Sequence, residues 1–220
     1  MVMMKPLVVA LGLALGTVSL AAQDPLTTIP EAYQVQFEND WVKVVRVHYA
    51  AGVKLPDHTH PAGTTAYVYL NDSDGVIFRH AGGSNRAVTR PAVTTGSIRL
   101  SAGREEHHNA ENPAATPSDF LRIQLKTMTS TNLRQRIPRP APRGTGNSIA
   151  VDYLSKDLII QRFVVAPGKS ITADWVTMPS LWVAIPSGDT RWVQAARGEI
   201  IDNPGATPIE LLRFIVRGAK

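Results

Sequence analysis

The feature that most narrows the fold of this chain is a segment that occurs twice. Residues 111–125 read ENPAATPSDFLRIQL, and residues 202–216 read DNPGATPIELLRFIV. Both open on an acid-Asn-Pro turn, pass through Ala-Thr-Pro and run into an apolar stretch that carries Leu-Arg. A second echo lies upstream: VRVHYAAGVKLPDHTH at 45–60 aligns with QRFVVAPGKSITADWV at 161–176 and sets Gly52 on Gly168. An internal repeat signals repeated architecture, one unit per copy. The two echoes stand farther apart in the first copy, so the second lacks about 25 residues, assigned to the Val76–Leu100 region.

The repeated units read as strands, which makes the chain all-β. Trp41–Tyr49 is rich in β-branched and aromatic residues with partial alternation, and Ala66–Leu70, Val76–Arg79, Ser97–Leu100 and Phe120–Leu125 continue the pattern. The cluster Asn71-Asp72-Ser73-Asp74-Gly75 predicts a hairpin between Ala66–Leu70 and Val76–Arg79. Residues 23–30 read as an extended leader to the first strand, and no long helical period follows. A hydrophobic content of 44% supports a buried core, and 16 Gly with 16 Pro suits a turn-rich β protein. Residues 128–147 change character. Arg134 to Gly144 is basic and Pro-rich, which resists helix and central strand and reads as a linker between two halves.

Residues 1–22 are different in kind. Lys5 precedes an apolar run from Leu7 to Leu20, with Ala21 and Ala22 as small residues for cleavage. That run, about 14 residues, is short of the roughly 20 needed to span a bilayer. The expectation is a cleaved secretory signal, a periplasmic or secreted protein and no stable membrane anchor after cleavage. Cysteine is absent, which excludes disulfides, thiolate catalysis and Cys-based zinc sites. The net charge of +5 is concentrated in Arg134–Arg143 and reads as a solvated basic surface, with no nucleic-acid partner.

All six histidines, at 48, 58, 60, 80, 107 and 108, lie in the first half. His58 and His60 stand at i and i+2, so on a strand they present two imidazoles to one face. Imidazole nitrogen is a good donor to Zn, Fe, Ni and Cu. Gly52, five residues, His58-Thr-His60 and then His108, three residues, Asn112 resemble the two motifs of the cupin superfamily. The resemblance covers about residues 31–127. It implies a double-stranded β-helix (jelly-roll or cupin barrel) in which His58, His60 and His108 converge on one divalent transition metal: Fe, Mn, Zn or Ni. With the repeat, it implies a bicupin whose shorter second half, residues 148–220, is degenerate.

The chain departs from the family pattern. Thr64 or Thr65 stands where the family has a Glu ligand, and Ser101 or Ala102 replaces the usual Pro. Glu106, two residues before His108 and hence on the same strand face, is the candidate substitute ligand. His107 and His108 point to opposite faces, and the intact spacing to Asn112 selects His108. In the second half, the alignment sets Asp174, Val176 and Glu199 where His58, His60 and His108 stand, which predicts a metal-free lobe. Trp175, Trp182 and Trp192 are expected in core or interface. His48 is expected as a hydrogen-bonded structural residue able to face the barrel interior, and His80 as exposed.

There is no Gly-x-Ser-x-Gly elbow, no P-loop and no dinucleotide-binding glycine pattern. Beside a structural or interaction module in which the histidines are vestigial, two function classes stay open. One is a metal-dependent enzyme, oxidoreductase (dioxygenase-type) or isomerase, on a small organic substrate. The other is a non-catalytic metal- or small-ligand-binding protein of the cell envelope. Tyr67, Tyr69 and Arg79 discriminate, because side chains sharing the histidine cavity would mark a shaped organic pocket. A homodimer is a possible assembly.

Overall fold

The computed structural model describes residues 24–81, 87–128, 133–141, 144–173, 178–194 and 198–217. The expected signal, 1–22, lies outside them. One turn of helix, α1 (Pro25–Thr28), opens the described chain, where the sequence predicted an extended leader. The reason is local: the Asp24 side chain accepts from the Leu26 amide, and Pro25 supplies a preset φ at the first helical position. Strand and turn follow almost throughout.

In the first half, six antiparallel strands form one sheet: β1 (Tyr33–Glu38), β2 (Val42–Tyr49), β4 (Thr65–Tyr69), β7 (Ile98–Ser101), β9 (Ser118–Leu125) and β10 (Arg134–Ile137). Their order is β1-β2-β9-β4-β7-β10. Four more, β3 (Lys54–His60), β5 (Val76–His80), β6 (Ala87–Arg90) and β8 (Glu106–Glu111), form the second sheet in the order β3-β8-β5-β6. The expected hairpin does not form: β4 pairs with β7 and β9, and β5 pairs with β6 and β8. The turn is held elsewhere. Asn71 donates to the Pro117 carbonyl and accepts from the Asp119 amide, and Ser73 bridges to Val93, so the cluster carries the chain from one sheet to the other.

The second half repeats the larger sheet. β11 (Ser148–Leu154), β12 (Leu158–Val165), β14 (Ser180–Ile185), β15 (Thr190–Val193) and β17 (Ile209–Val216) stand in the order β11-β12-β17-β14-β15, matching β1-β2-β9-β4-β7. Its smaller sheet is the pair β13 (Lys169–Ala173) and β16 (Glu199–Asn203). Among the described residues nothing corresponds to β5 and β6, the region to which the missing length was assigned.

The repeated Asn-Pro turn works alike in both halves. The Asn112 side-chain amide donates to the carbonyls of Tyr49, Ala50 and Thr116 and accepts from the Ala114 amide. Asn203 donates to Val165 and Thr207 and accepts from the Gly205 amide. Each Asn thus ties the end of its smaller sheet to the larger one. Gly52 and Gly168 sit at φ 68° and 64°, the left-handed region that favours glycine, in the turn beside it.

Strand alternation divides the larger sheet of the first half into two faces. Val42, Val44, Ala66, Val68, Leu121 and Ile123 face the second half and pack with Leu158, Ile160, Leu181, Val183, Leu212 and Phe214. Val45, Val47, Tyr67, Tyr69 and Phe120 face the first barrel interior with Leu55, Phe78 and Ala110. Phe163, Val165, Trp182 and Ile201 fill the second barrel. Trp192 packs on Phe37 and Trp41 from the other half at 6.3 and 6.1 Å, while Trp175 lies outside the described residues.

The basic stretch between the halves contains a strand where a linker was expected. Arg134–Ile137 pairs with Ile98–Ser101, which it can because its prolines begin only at Pro138 and every amide of the segment is free to bond. Beyond it, Arg139 pairs with Glu210, whose other oxygen pairs with Arg162; Arg162 also reaches Asp152 and the Gly96 carbonyl. The segment therefore helps fasten the halves. Asn112→Ala is expected to lower stability to urea unfolding by about 2 kcal/mol, through buried carbonyls left without donors, with a smaller loss for Asn203→Ala.

Candidate metal centre

Three histidines meet inside the first barrel. His58 and His60 come from β3 and His108 from β8, with His58 and His108 directly paired across the strands. A bulge between Leu55 and His58 resets the alternation, so that Leu55, His58 and His60 are buried while Pro56 and Asp57 are exposed. The rings stand 4.8, 4.9 and 5.2 Å apart, and one nitrogen from each lies within 4.8 Å of the others. His108 is 1% exposed and His107 points out to solvent, so of that pair His108 faces the cavity.

The environment keeps these imidazoles neutral. Burial, then the charges of Arg122, His58 and Arg90, pushes the His60 pKa down to about 2. Burial first, then His60 and His58, drives His108 lower still, and burial lowers His58. The His58 Nδ1 lies 2.8 Å from the Pro56 carbonyl, which can only accept, so Nδ1 carries the proton and Nε2 keeps its lone pair. The Tyr33 hydroxyl, 3.1 Å from that Nε2, therefore donates to it, and the Tyr49 hydroxyl, 2.5 Å away, donates to Tyr33. Neither ring nitrogen of His108 has a hydrogen-bond partner. A buried polar atom left so is costly, and a transition metal bound by three neutral nitrogens would satisfy it. The donor set fits a divalent transition metal.

The expected fourth ligand flanks this trio without a hydrogen bond to it. Glu106 is half-buried on the same face, with Oε2 3.8 Å from the His108 Nδ1, beyond hydrogen-bond reach. At the family's Glu position, the Thr64 hydroxyl donates to the Met128 carbonyl and that of Thr65 to Gly63.

The other sequence expectations divide. His80 is half-buried rather than exposed: it pairs with His108 across β5 and β8, and its ring lies 5.3 Å from that of His108. His48 is on the outside of the barrel, its Nδ1 2.7 Å from Asp119. Tyr67 and Tyr69 line the barrel interior. Arg79 does not; it points outward and pairs with Glu111 at 2.7 Å. Tyr33 and Tyr49 were missed. Tyr49 continues the inward alternation of Val45 and Val47 and was legible from it. Tyr33 reaches the site only through the pairing of β1 with β2.

In the second half Ala173 pairs with Glu199 as His58 pairs with His108. The sequence alignment had set Asp174 there; β13 lacks the bulge of β3, which shifts the match by one residue. Asp174 and Val176 lie outside the described residues. Glu199 is tied to Arg191. Among the described residues the three histidines of the first barrel are the one metal-competent cluster.

The linkage of these histidines to folding has a definite sign. Their folded pKa values lie below the ordinary 6.5, so the unfolded chain binds more protons below that pH. Stability of the metal-free protein is expected to be level above about pH 7 and to fall as pH drops through 6 to 4, by up to about 1.4 kcal/mol per unit for each histidine. Urea unfolding in the presence of a chelator measures this, and His108→Leu is expected to flatten the slope.

Protein-family profiles give no match, and no curated protein matches the chain. Solved structures do. A cupin domain from Bordetella pertussis Tohama I shares 26% identity over 43% of this chain and 91% of its own, with a TM-score of 0.36. The pirin YhhW from Escherichia coli, in complex with nickel(II), shares 13% identity over 84% of this chain and 90% of its own, with a TM-score of 0.55. Vicilin from Capsicum annuum shares 9% identity over 82% and 77%, with a TM-score of 0.59. With the strand order of its larger sheet repeated in the second half, the turn of Asn112 returning at Asn203, and His58, His60 and His108 gathered inside the first barrel, the chain has the cupin fold.

Proposed function

We propose that the first barrel is a divalent transition-metal centre that acts on a small organic substrate, in a protein exported from the cytoplasm. The observation that carries the metal reading is the buried trio of neutral imidazoles, with both His108 nitrogens lacking any partner. His58, His60 and His108 would hold the ion through one nitrogen each. A bound ion of this kind supplies Lewis-acid polarisation of a ligand oxygen, and in redox-active form serves oxidation. The pirin structure, which carries nickel(II), supports the fold as able to hold such an ion; Fe, Mn and Zn are equally compatible with three imidazoles.

The chain's own groups prepare the site around that position. The Pro56 carbonyl fixes the ring of His58. Tyr33 holds a proton at its hydroxyl beside the histidines, with Tyr49 behind it. Burial raises the Tyr33 pKa and pushes that of Tyr49 up to about 12, so both stay protonated donors across the working pH range. Phe78, Phe120, Tyr67 and Tyr69 exclude bulk water from the interior. A second reading, a non-catalytic metal- or ligand-holding envelope protein, is favoured by one observation: no carboxylate takes the family's Glu position, where the Thr64 and Thr65 hydroxyls bond to main-chain carbonyls.

The purified protein is expected to hold close to one equivalent of transition metal by mass spectrometry, and His58→Ala/His60→Ala to lose it while keeping its β spectrum. No bound ion after loading with Fe, Mn, Zn and Ni in turn would overturn the metal centre. Oxidation and isomerisation screens on the loaded protein separate the enzyme from the binder. Export predicts recovery in the periplasmic or secreted fraction, with a mass lacking residues 1–22.

A further inference from the structure

The first barrel buries more cationic charge than its histidine site uses. Across the inner face of its larger sheet, Arg122 on β9, Tyr67 on β4, Arg99 on β7 and Arg136 on β10 are successive cross-strand partners. Cross-strand partners share a face, so this is one row with Tyr67 flanked by two guanidinium groups. Arg99 lies over the Tyr67 ring at 3.9 Å. Arg90, at the end of β6, reaches in from the opposite sheet, 3.8 Å from the centre of Phe78 and 5.4 Å from that of Tyr67. Phe78 in turn contacts the ring of His108 at 5.1 Å.

These arginines lack the partners that buried charges need. Arg122 is 8% exposed and its Nε has no hydrogen-bond partner; the Nε and Nη2 of Arg99 are likewise buried and unmatched. Among the described residues no carboxylate forms an ion pair with Arg90, Arg99 or Arg122. The buried Arg162, by contrast, is paired: it meets Asp152, Glu210 and a main-chain carbonyl. Arg122 is buried and Arg90 and Arg99 are half-buried, and three guanidinium groups so placed without a paired carboxylate fit a counter-charge from outside the chain. Burial and the adjacent Arg90 charge hold the Arg99 pKa below the usual guanidinium value, whereas for Arg90 burial is outweighed by Tyr67, Tyr69, Tyr49 and Glu106 and the pKa is raised, so the shortfall falls on Arg99.

A cavity of about 200 Å³ opens on Arg90 and Arg99, and its remaining wall is largely apolar, including Val93, Ile98, Ile137 and Pro138. Arg122 shares a separate space of about 50 Å³ with His60 and Tyr33. The cationic row thus runs from the larger cavity to the histidines.

We infer that the first barrel takes a small organic acid, its carboxylate held by Arg90 and Arg99 and its apolar body in the 200 Å³ cavity, with Arg122 extending the cationic row to the histidine site. The guanidinium fork matches a carboxylate two-to-two, and stacking on Tyr67 and Phe78 fixes its plane. The inference names the substrate class for the site proposed above. It rests on reading this barrel as a small-molecule site, and it does not require the metal.

The test measures melting temperature and calorimetric binding on the full chain, metal-loaded and again after chelation, with benzoate, hexanoate, succinate and inorganic phosphate. Benzamide and hexanamide serve as neutral counterparts. At least one carboxylate is expected to bind about tenfold or more tighter than its amide, because a charge-assisted bond is lost in the amide. Arg99→Met is expected to abolish that preference while leaving the ligand-free melting temperature unchanged or raised, since it removes an unpaired buried charge. Amides binding as well as acids, phosphate binding with no carboxylate doing so, or no member of the panel binding would each overturn the inference. So would Arg99→Met lowering the ligand-free melting temperature with binding intact, which would make the arginine structural. In His58→Ala/His60→Ala, carboxylate binding that persists without metal upholds the acid site, and metal content judges the metal centre separately.

Discussion

Strand β9 has both faces covered, and this constrains everything around it. Leu121, Ile123 and Leu125 enter the core shared with the second half, while Phe120 and Arg122 enter the first barrel. A strand of period two can serve two cores only if its sheet lies between them. The second half supplies that cover through β12, β14 and β17, whose apolar side chains would otherwise face solvent. Its barrel has a role independent of any site of its own: it closes the outer face of the sheet that backs the histidines.

The first barrel interior is graded. Leu55, Val47, Phe120 and Ala110 make its apolar portion, and the rows carrying Arg122, Tyr67 and Arg99 and then Gln124, Thr65 and Ser101 make its polar one. The histidines sit where the apolar portion is close enough to hold them neutral, and Tyr33, backed by Tyr49, donates to the His58 nitrogen that keeps its lone pair. The cations of Arg90 and Arg122 help hold the neighbouring imidazoles unprotonated. A metal cation would satisfy the nitrogens, and an organic anion would satisfy the guanidinium groups.

The halves show which parts of the repeat are architectural. The Asn turn, the glycine at positive φ and the order of the larger sheet persist in both. The bulge of β3, the β5 and β6 pair and the histidines belong to the first alone among the described residues. The bulge sets His58 opposite His108, and β5 and β6 bring His80, Phe78 and Arg90 over the site. The added length of the first half thus covers the three histidines.

Much of this was legible in the residues because it depends on local rules. Repeated turn chemistry announced two like units, β-branched runs announced strands, and His58-Thr-His60 on a strand had to share a face. The spacing of His108 to Asn112 selected the neighbour that faces the barrel interior, since Asn112 anchors the strand end that fixes which way His108 points. What failed were inferences about partners. Asn71–Gly75 looked like a hairpin, but its side chains bond to residues near 117–119 and send the next strand to another sheet. Arg134–Ile137 looked like linker because the prolines beyond it dominate the composition, yet an open edge at β7 was there to be paired.

The sequence by itself determined the strands, their inward and outward faces, the twofold repeat and the three histidines, because period and turn preference act between residues close in the chain. Only the tertiary structure decided that Tyr33, His80, Arg90 and Arg122 come close to those histidines, and that Glu106 flanks them without a hydrogen bond. Those positions follow from which strands pair and at what register. A single residue of bulge, as between β3 and β13, changes which side chain meets which, and no local signal in the chain records that choice.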